Sequence, residues 1–115
     1  MMQPTPKVSR ADVERVVRRD FPPDAFSEML QVLDEYGATD HQREKARVQL
    51  AVLKLASGSK EKLRREIEEA KFDYRDVLSP AEYPGYSFEV SKLPKKEQQN
   101  IIDADWKQYS DWLTQ

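Results

Sequence analysis

SKEKLRREIEEAKFDYRDVLSPAEYP, residues 59–84, places Leu63, Ile67, Ala70, Tyr74 and Val77 at spacings of 4, 3, 4 and 3. Those intervals put five side chains on one face of an α-helix, and Leu78 widens the stripe. Lys62, Arg65, Glu66, Glu69 and Asp73 fall on the other face, where water solvates them. Ser59 has a hydroxyl that can accept a bond from a first-turn amide, so the helix is expected to begin there. Pro80 disfavours helical backbone at the residue before it, so the helix is expected to stop near Leu78 or Ser79.

Working outward, Ser57-Gly58 precedes this helix, and glycine suits the left-handed residue that ends a preceding one. That preceding helix is expected over about 40–56, capped by Thr39 or Asp40. Val48, Leu50, Ala51, Val52, Leu53, Leu55 and Ala56 make it apolar nearly all round, so it belongs in the middle of the domain. The short link makes the two an antiparallel hairpin. Before them, Phe26, Met29, Leu30 and Leu33 predict a helix over about 24–36, with Gly37 as its terminator. Ser9-x-x-Asp12 opens a first helix that runs to about Asp20, with Val13, Val16 and Val17 on its apolar side.

Beyond Pro84, Tyr86, Phe88 and Val90 alternate with polar residues. One strand with no partner has no ladder, so an extended connection is expected, with pairing between two copies as the alternative. The last helix begins near Leu93-Pro94. Ile102, Trp106, Tyr109 and Leu113 stand on one face and are expected to dock on the core. The expected architecture is a single all-α bundle of about five helices over residues 9–115, with an extended segment before the C-terminal helix. Residues 1–8, with Pro4 and Pro6, are expected to form a flexible tail.

Composition agrees. Charged residues make up 35 % of the 115 and there are only three glycines, which suits helices with solvated faces. The net charge is −2, but its distribution is segmented. Residues 20–42 carry six acidic side chains and no lysine or arginine, while residues 43–65 carry eight basic and two acidic ones. Such blocks pair between neighbouring helices, or the basic one faces an acidic partner. The absence of cysteine excludes disulfides and thiolate chemistry, and fits a reducing compartment. Met1–Val8 has no apolar run and no stretch approaches the ~20 apolar residues of a membrane span, so a cytoplasmic protein with no membrane role is expected.

The chemistry concentrates in Asp73, Tyr74, Arg75 and Asp76, followed by Glu82 and Tyr83. Asp73 and Asp76 are three apart and share a helical face. Three readings apply: a polar network pinning the helix end, a recognition surface, or a carboxylate pair serving acid–base or metal chemistry. Tyrosine and arginine dominate binding hot spots, which favours recognition among the functional readings. Elsewhere the signals are weak. His41 is the only histidine, and no Gly-x-Ser-x-Gly elbow or phosphate-binding glycine pattern accompanies it. Asp103 and Asp105 point about 200° apart on a helix. Lys45, Arg47, Lys54, Lys60, Lys62, Arg64 and Arg65 are spread round two helices rather than along one stripe, which speaks against a nucleic-acid partner.

Asp73-Tyr74-Arg75-Asp76-Val77-Leu78 followed by Ala81-Glu82-Tyr83-Pro84 resembles a motif of small bacterial proteins of unknown function. The likeness covers about residues 43–84 and extends to Asp105-Trp106. It implies no activity, but it groups those residues as a unit. The expected function is therefore a non-catalytic protein–protein interaction module or adaptor, self-association included, using the Tyr/Arg/carboxylate surface at residues 73–84. No cofactor is expected. The alternatives are a metal-dependent enzyme using Asp73, Asp76 and Glu82, and nucleic-acid binding through residues 43–65.

Overall fold

The computed structural model describes residues 4–39, 42–86 and 89–115, and among them six α-helices and two short 3₁₀ turns occur. The helices are α1 (Arg10–Asp20), α2 (Phe26–Leu33), α3 (Lys45–Ala56), α4 (Lys60–Phe72), α5 (Arg75–Glu82) and α6 (Lys95–Leu113). The 3₁₀ turns are Pro23–Ala25 and Val90–Lys92. No strand occurs among the described residues, so the fold is all-α.

The caps expected for α1 and α4 hold. The Ser9 amide donates to the Asp12 carboxylate at 2.9 Å, so aspartate closes the capping box that opens α1. The Ser59 hydroxyl accepts from the Lys62 amide, and Gly58 takes a φ of +80° behind α3. α3 is the middle of the domain, as its sequence requires. Val48, Leu50, Ala51, Val52, Leu53 and Ala56 are all buried, and the helix packs against α1, α4 and α5. Residues 20–42 supply Asp34, Glu28 and Glu35, which pair with Arg10 and Lys45, Arg64, and Lys71 respectively. The segmented charge thus serves contacts between helices.

Several expectations change. α3 begins at Lys45 rather than near residue 40. Glu44 precedes it in left-handed backbone, φ +56°, while the Gln42 side chain accepts from the Gly37 and Ala38 amides. Asp40 and His41 lie outside the described residues. α2 ends at Leu33, and the chain continues through turns to Gly37 at φ +99°.

The helix expected over 59–79 is two helices. Pro80 does not stop it, because Pro80 lies inside α5. A proline there removes one bond to the Asp76 carbonyl, and both residues are exposed, so water replaces that bond. The break comes earlier, at Asp73, whose side chain accepts the Arg75 amide at 3.0 Å. An aspartate that bonds the backbone two residues on offers the chain a turn in place of a helix. Asp76 therefore stands in the first turn of α5, where its charge complements the macrodipole.

The connection after α5 is not a single extended run. Pro84-Gly85 turns, the Gly85 amide donates to both Asp105 carboxylate oxygens at 3.0 and 3.1 Å, and Val90–Lys92 coil into the second 3₁₀ turn. A Cβ on Gly85 would lie 2.9 Å from an Asp105 carboxylate oxygen, so a larger residue there would have to displace that side chain. Tyr86 is half-buried and Phe88 lies outside the described residues. In α6, Ile102 and Tyr109 are buried, but Trp106 and Leu113 are only partly so. α1 closes the end of α6: Arg15 donates to the Leu113 carbonyl at 2.7 Å and Arg19 to the Trp112 carbonyl at 2.6 Å. Cationic donors there satisfy orphan carbonyls and suit the dipole. The described part of the tail, residues 4–8, lies on the packed surface, with Pro6 buried. Among the described residues, no helix is long and apolar enough to cross a membrane.

Candidate binding surface

The elbow between α4 and α5 carries the expected cluster. Asp73 leaves helical backbone, which turns Arg75 back over it. The Arg75 Nε and Nη2 atoms donate to the two Asp73 carboxylate oxygens, each at 3.0 Å. The guanidinium holds the Asp73 carboxyl below the usual range. The pair is open to water, with the Arg75 side chain 75 % exposed, so its contribution to stability is small. Its role is geometric, since it presets the guanidinium. Tyr74 is half-buried against the core and Asp76 is exposed.

Phe72 belongs to the same surface and was not singled out from the sequence. It is 89 % exposed, far more than any other large apolar residue described. The signal was present, because Phe72 falls off the Leu63–Ile67–Ala70 stripe that α4 buries. An apolar residue on the solvent side, next to Asp-Tyr-Arg, is the pattern that would have found it.

Glu82 and Tyr83 stand apart from the exposed elbow. Glu82 is 2 % exposed and makes a two-pronged pair with Arg47 of α3, both bonds at 2.7 Å. The bond to Glu82 raises the Arg47 pKa further. Tyr83 is buried and its hydroxyl donates to the Pro4 carbonyl at 2.5 Å. Burial, then the nearby Glu82 charge, pushes its pKa up to about 12. Tyr74, Arg75, Glu82 and Tyr83 line one cleft of about 340 Å³ together with Arg47 and Tyr86. Asp73 and Asp76 are not in that lining. Four of the six expected residues are thus brought together, around a floor set by Arg47–Glu82.

The three carboxylates of the metal reading do not converge. Asp73 is held by Arg75 and Glu82 by Arg47, and among the described residues no group of three or more His, Asp or Glu side chains could hold a metal ion. The basic segment is partly consumed as well. Lys45, Arg47 and Arg64 pair with carboxylates, and Lys54 is partly buried, which lowers its pKa. Lys60, Lys62 and Arg65 are exposed on α4.

Tyr109 lies beside this floor. Its hydroxyl is buried with no hydrogen-bond partner among the described residues, and burial followed by the Glu82 charge raises its pKa. A buried hydroxyl without a partner costs about 1–3 kcal/mol. Tyr109→Phe should therefore leave the protein as stable or raise its stability by about 1 kcal/mol, read from the urea midpoint at constant slope. A loss above about 1 kcal/mol would show that the hydroxyl is satisfied in solution.

No family model, curated protein or solved structure matches the chain.

Proposed function

We propose that the protein is a non-catalytic protein-interaction module, working in the cytoplasm, that engages its partner through the elbow formed by Phe72, Asp73, Tyr74, Arg75 and Asp76. The observation that carries this reading is Phe72, 89 % exposed beside an arginine already fixed in position by Asp73. Covering such a ring removes apolar surface worth about 1.5–3 kcal/mol from water. A preset guanidinium loses little rotamer freedom on pairing, and arginine and tyrosine are the residues that dominate hot spots. Tyr74, half-buried, roots the patch in the core.

The test is capture from the host lysate with the tagged chain and with a Phe72→Ala/Arg75→Ala variant, quantifying protein and nucleic acid. Both side chains face solvent, so helicity and the urea midpoint should stay within about 0.5 kcal/mol of wild type. The expected result is a protein held by the wild type and reduced at least about tenfold with the variant, equivalent to ~1.4 kcal/mol. Self-association would appear as a dimer in sedimentation that the variant abolishes. Equal recovery from both, with no dimer, would remove the elbow as an interaction surface.

A further inference from the structure

Pro4-Thr5-Pro6 forms an arm that precedes α1, and it borders clefts walled in part by aromatic side chains. Two prolines one residue apart fix φ and bias the backbone to an extended, polyproline-like course without internal hydrogen bonds. Pro6 is buried and the Pro4 carbonyl accepts from Tyr83. The arm borders two clefts that it does not fill. One, of about 340 Å³, has Tyr74, Tyr83 and Tyr86 in its wall. The other, of about 410 Å³, is walled by Trp106, Tyr109 and Leu113 of α6. Aromatic grooves of this kind take proline-containing chains because such chains lose little conformational entropy on docking.

We propose that the groove between the end of α5 and α6 is a docking site for an extended, proline-containing segment of a partner protein, and that the Pro4–Pro6 arm is the placeholder that occupies it in the free protein. The 340 Å³ cleft shares Tyr74 and Arg75 with the elbow, whereas Trp106, Tyr109 and the arm are not elbow residues and Phe72 lines neither cleft. Three observations support the assignment. The arm itself displays the chemistry the groove accepts: a backbone outside helix and strand, a carbonyl that accepts from Tyr83 and a buried proline ring. It leaves both clefts open, so a longer or bulkier segment gains contacts the arm does not make. Its root is held separately, by the Ser9–Asp12 capping box, so the arm can leave without unwinding α1. The arm of a second copy is a poorer occupant. It would make the same contacts while losing to the tethered arm, whose effective concentration is high.

The test uses the full chain and a fluorescent peptide with the sequence of residues 1–9. Pro4→Gly/Pro6→Gly releases the arm by removing its preorganisation. Fluorescence anisotropy should show the released variant binding the peptide at least about tenfold tighter than wild type, whose own arm competes. In the released background, Trp106→Ala should weaken binding about tenfold or more, the loss expected when an aromatic anchor is removed. Tyr83→Phe, which removes only the bond to the arm carbonyl, should weaken it less, at unchanged helicity. Phe72→Ala should leave binding intact, which separates this groove from the elbow. No binding by a released variant of wild-type helicity would overturn the proposal. So would binding indifferent to both Trp106→Ala and Tyr83→Phe. A wild-type dimer that dissociates when the arm is released would also overturn it, by giving the groove to a second copy.

Discussion

Glu82→Ala should lower stability by about 3–5 kcal/mol, toward the low end of that range. The pair it breaks is nearly dry on one side. The Glu82 side chain is 3 % exposed and the Arg47 side chain 22 %. Removing the carboxylate strands a guanidinium that cannot give up its proton, against the apolar face shared by α3 and α5. The remaining access of Arg47 to water, and Glu44 at 3.9 Å, place the loss near the lower bound. The same physics predicts that Glu82→Leu combined with Arg47→Met recovers most of the loss, because no buried charge is then left unpaired. Urea unfolding of Glu82→Leu, Arg47→Met and the double variant makes a thermodynamic cycle. A cost below about 1 kcal/mol for Glu82→Ala would mean that the pair is hydrated like a surface one. The prediction bears on function because this pair floors the cleft to which Tyr74, Arg75 and Tyr83 are attached.

The fold was legible where local physics decides it. The Leu63–Ile67–Ala70 stripe, the caps at Ser9 and Ser59 and the all-round apolar α3 each follow from residues within one or two turns. The elbow was not legible, because the 4-3-4-3 spacing runs on through Asp73 without a gap. What ends the helix is a side-chain bond from Asp73 to the Arg75 amide, which periodicity does not register. Once the break moves to Asp73, Pro80 loses its role as terminator and Asp76 stands in the first turn of a new helix, where its charge favours the dipole.

The candidate site divides in the same way. Six residues adjacent in sequence read as one cluster, yet Glu82 faces inward to Arg47, 35 positions away. A contact that distant carries no local signature. Pro4 and Pro6 read as a tail because prolines break helices, although what fixes their place is Tyr83, 79 positions beyond Pro4. Trp106 read as core from its spacing, but it stands at the edge of the groove under the arm.

Gln49→Leu should cost about 2–5 kcal/mol even though it preserves side-chain volume. Gln49 lies in the middle of α3 and is fully buried. α2 is short, ends at Leu33 and has no cation in its last turn, so its final carbonyls need donors from elsewhere. Gln49 Nε2 supplies them, donating to the Leu33 carbonyl at 2.8 Å and the Tyr36 carbonyl at 3.1 Å, with Asp34 a third acceptor at 3.3 Å. Its Oε1 accepts from Arg10, which also grips Asp34 with two bonds. Leucine fills the space and leaves those two carbonyls without the amide, at about 1–3 kcal/mol each. Burial raises the Asp34 pKa, but the bonds from Arg10 and Gln49 and the charges of Arg10 and Lys45 outweigh it, so the net shift is downward. A carboxyl whose folded pKa is depressed stabilises the protein in full above the ordinary aspartate range and loses that contribution as the pH falls from that range through its lowered folded pKa. The leucine variant, lacking one of those bonds, should lose less stability across that acid window than wild type. Amide exchange at the end of α2 gives an independent readout, since protection there should fall further than in α4. If the variant unfolds within about 1 kcal/mol of wild type, with α2 equally protected, water rather than Gln49 closes the helix. The α3 core would then hold α2 by apolar contact alone.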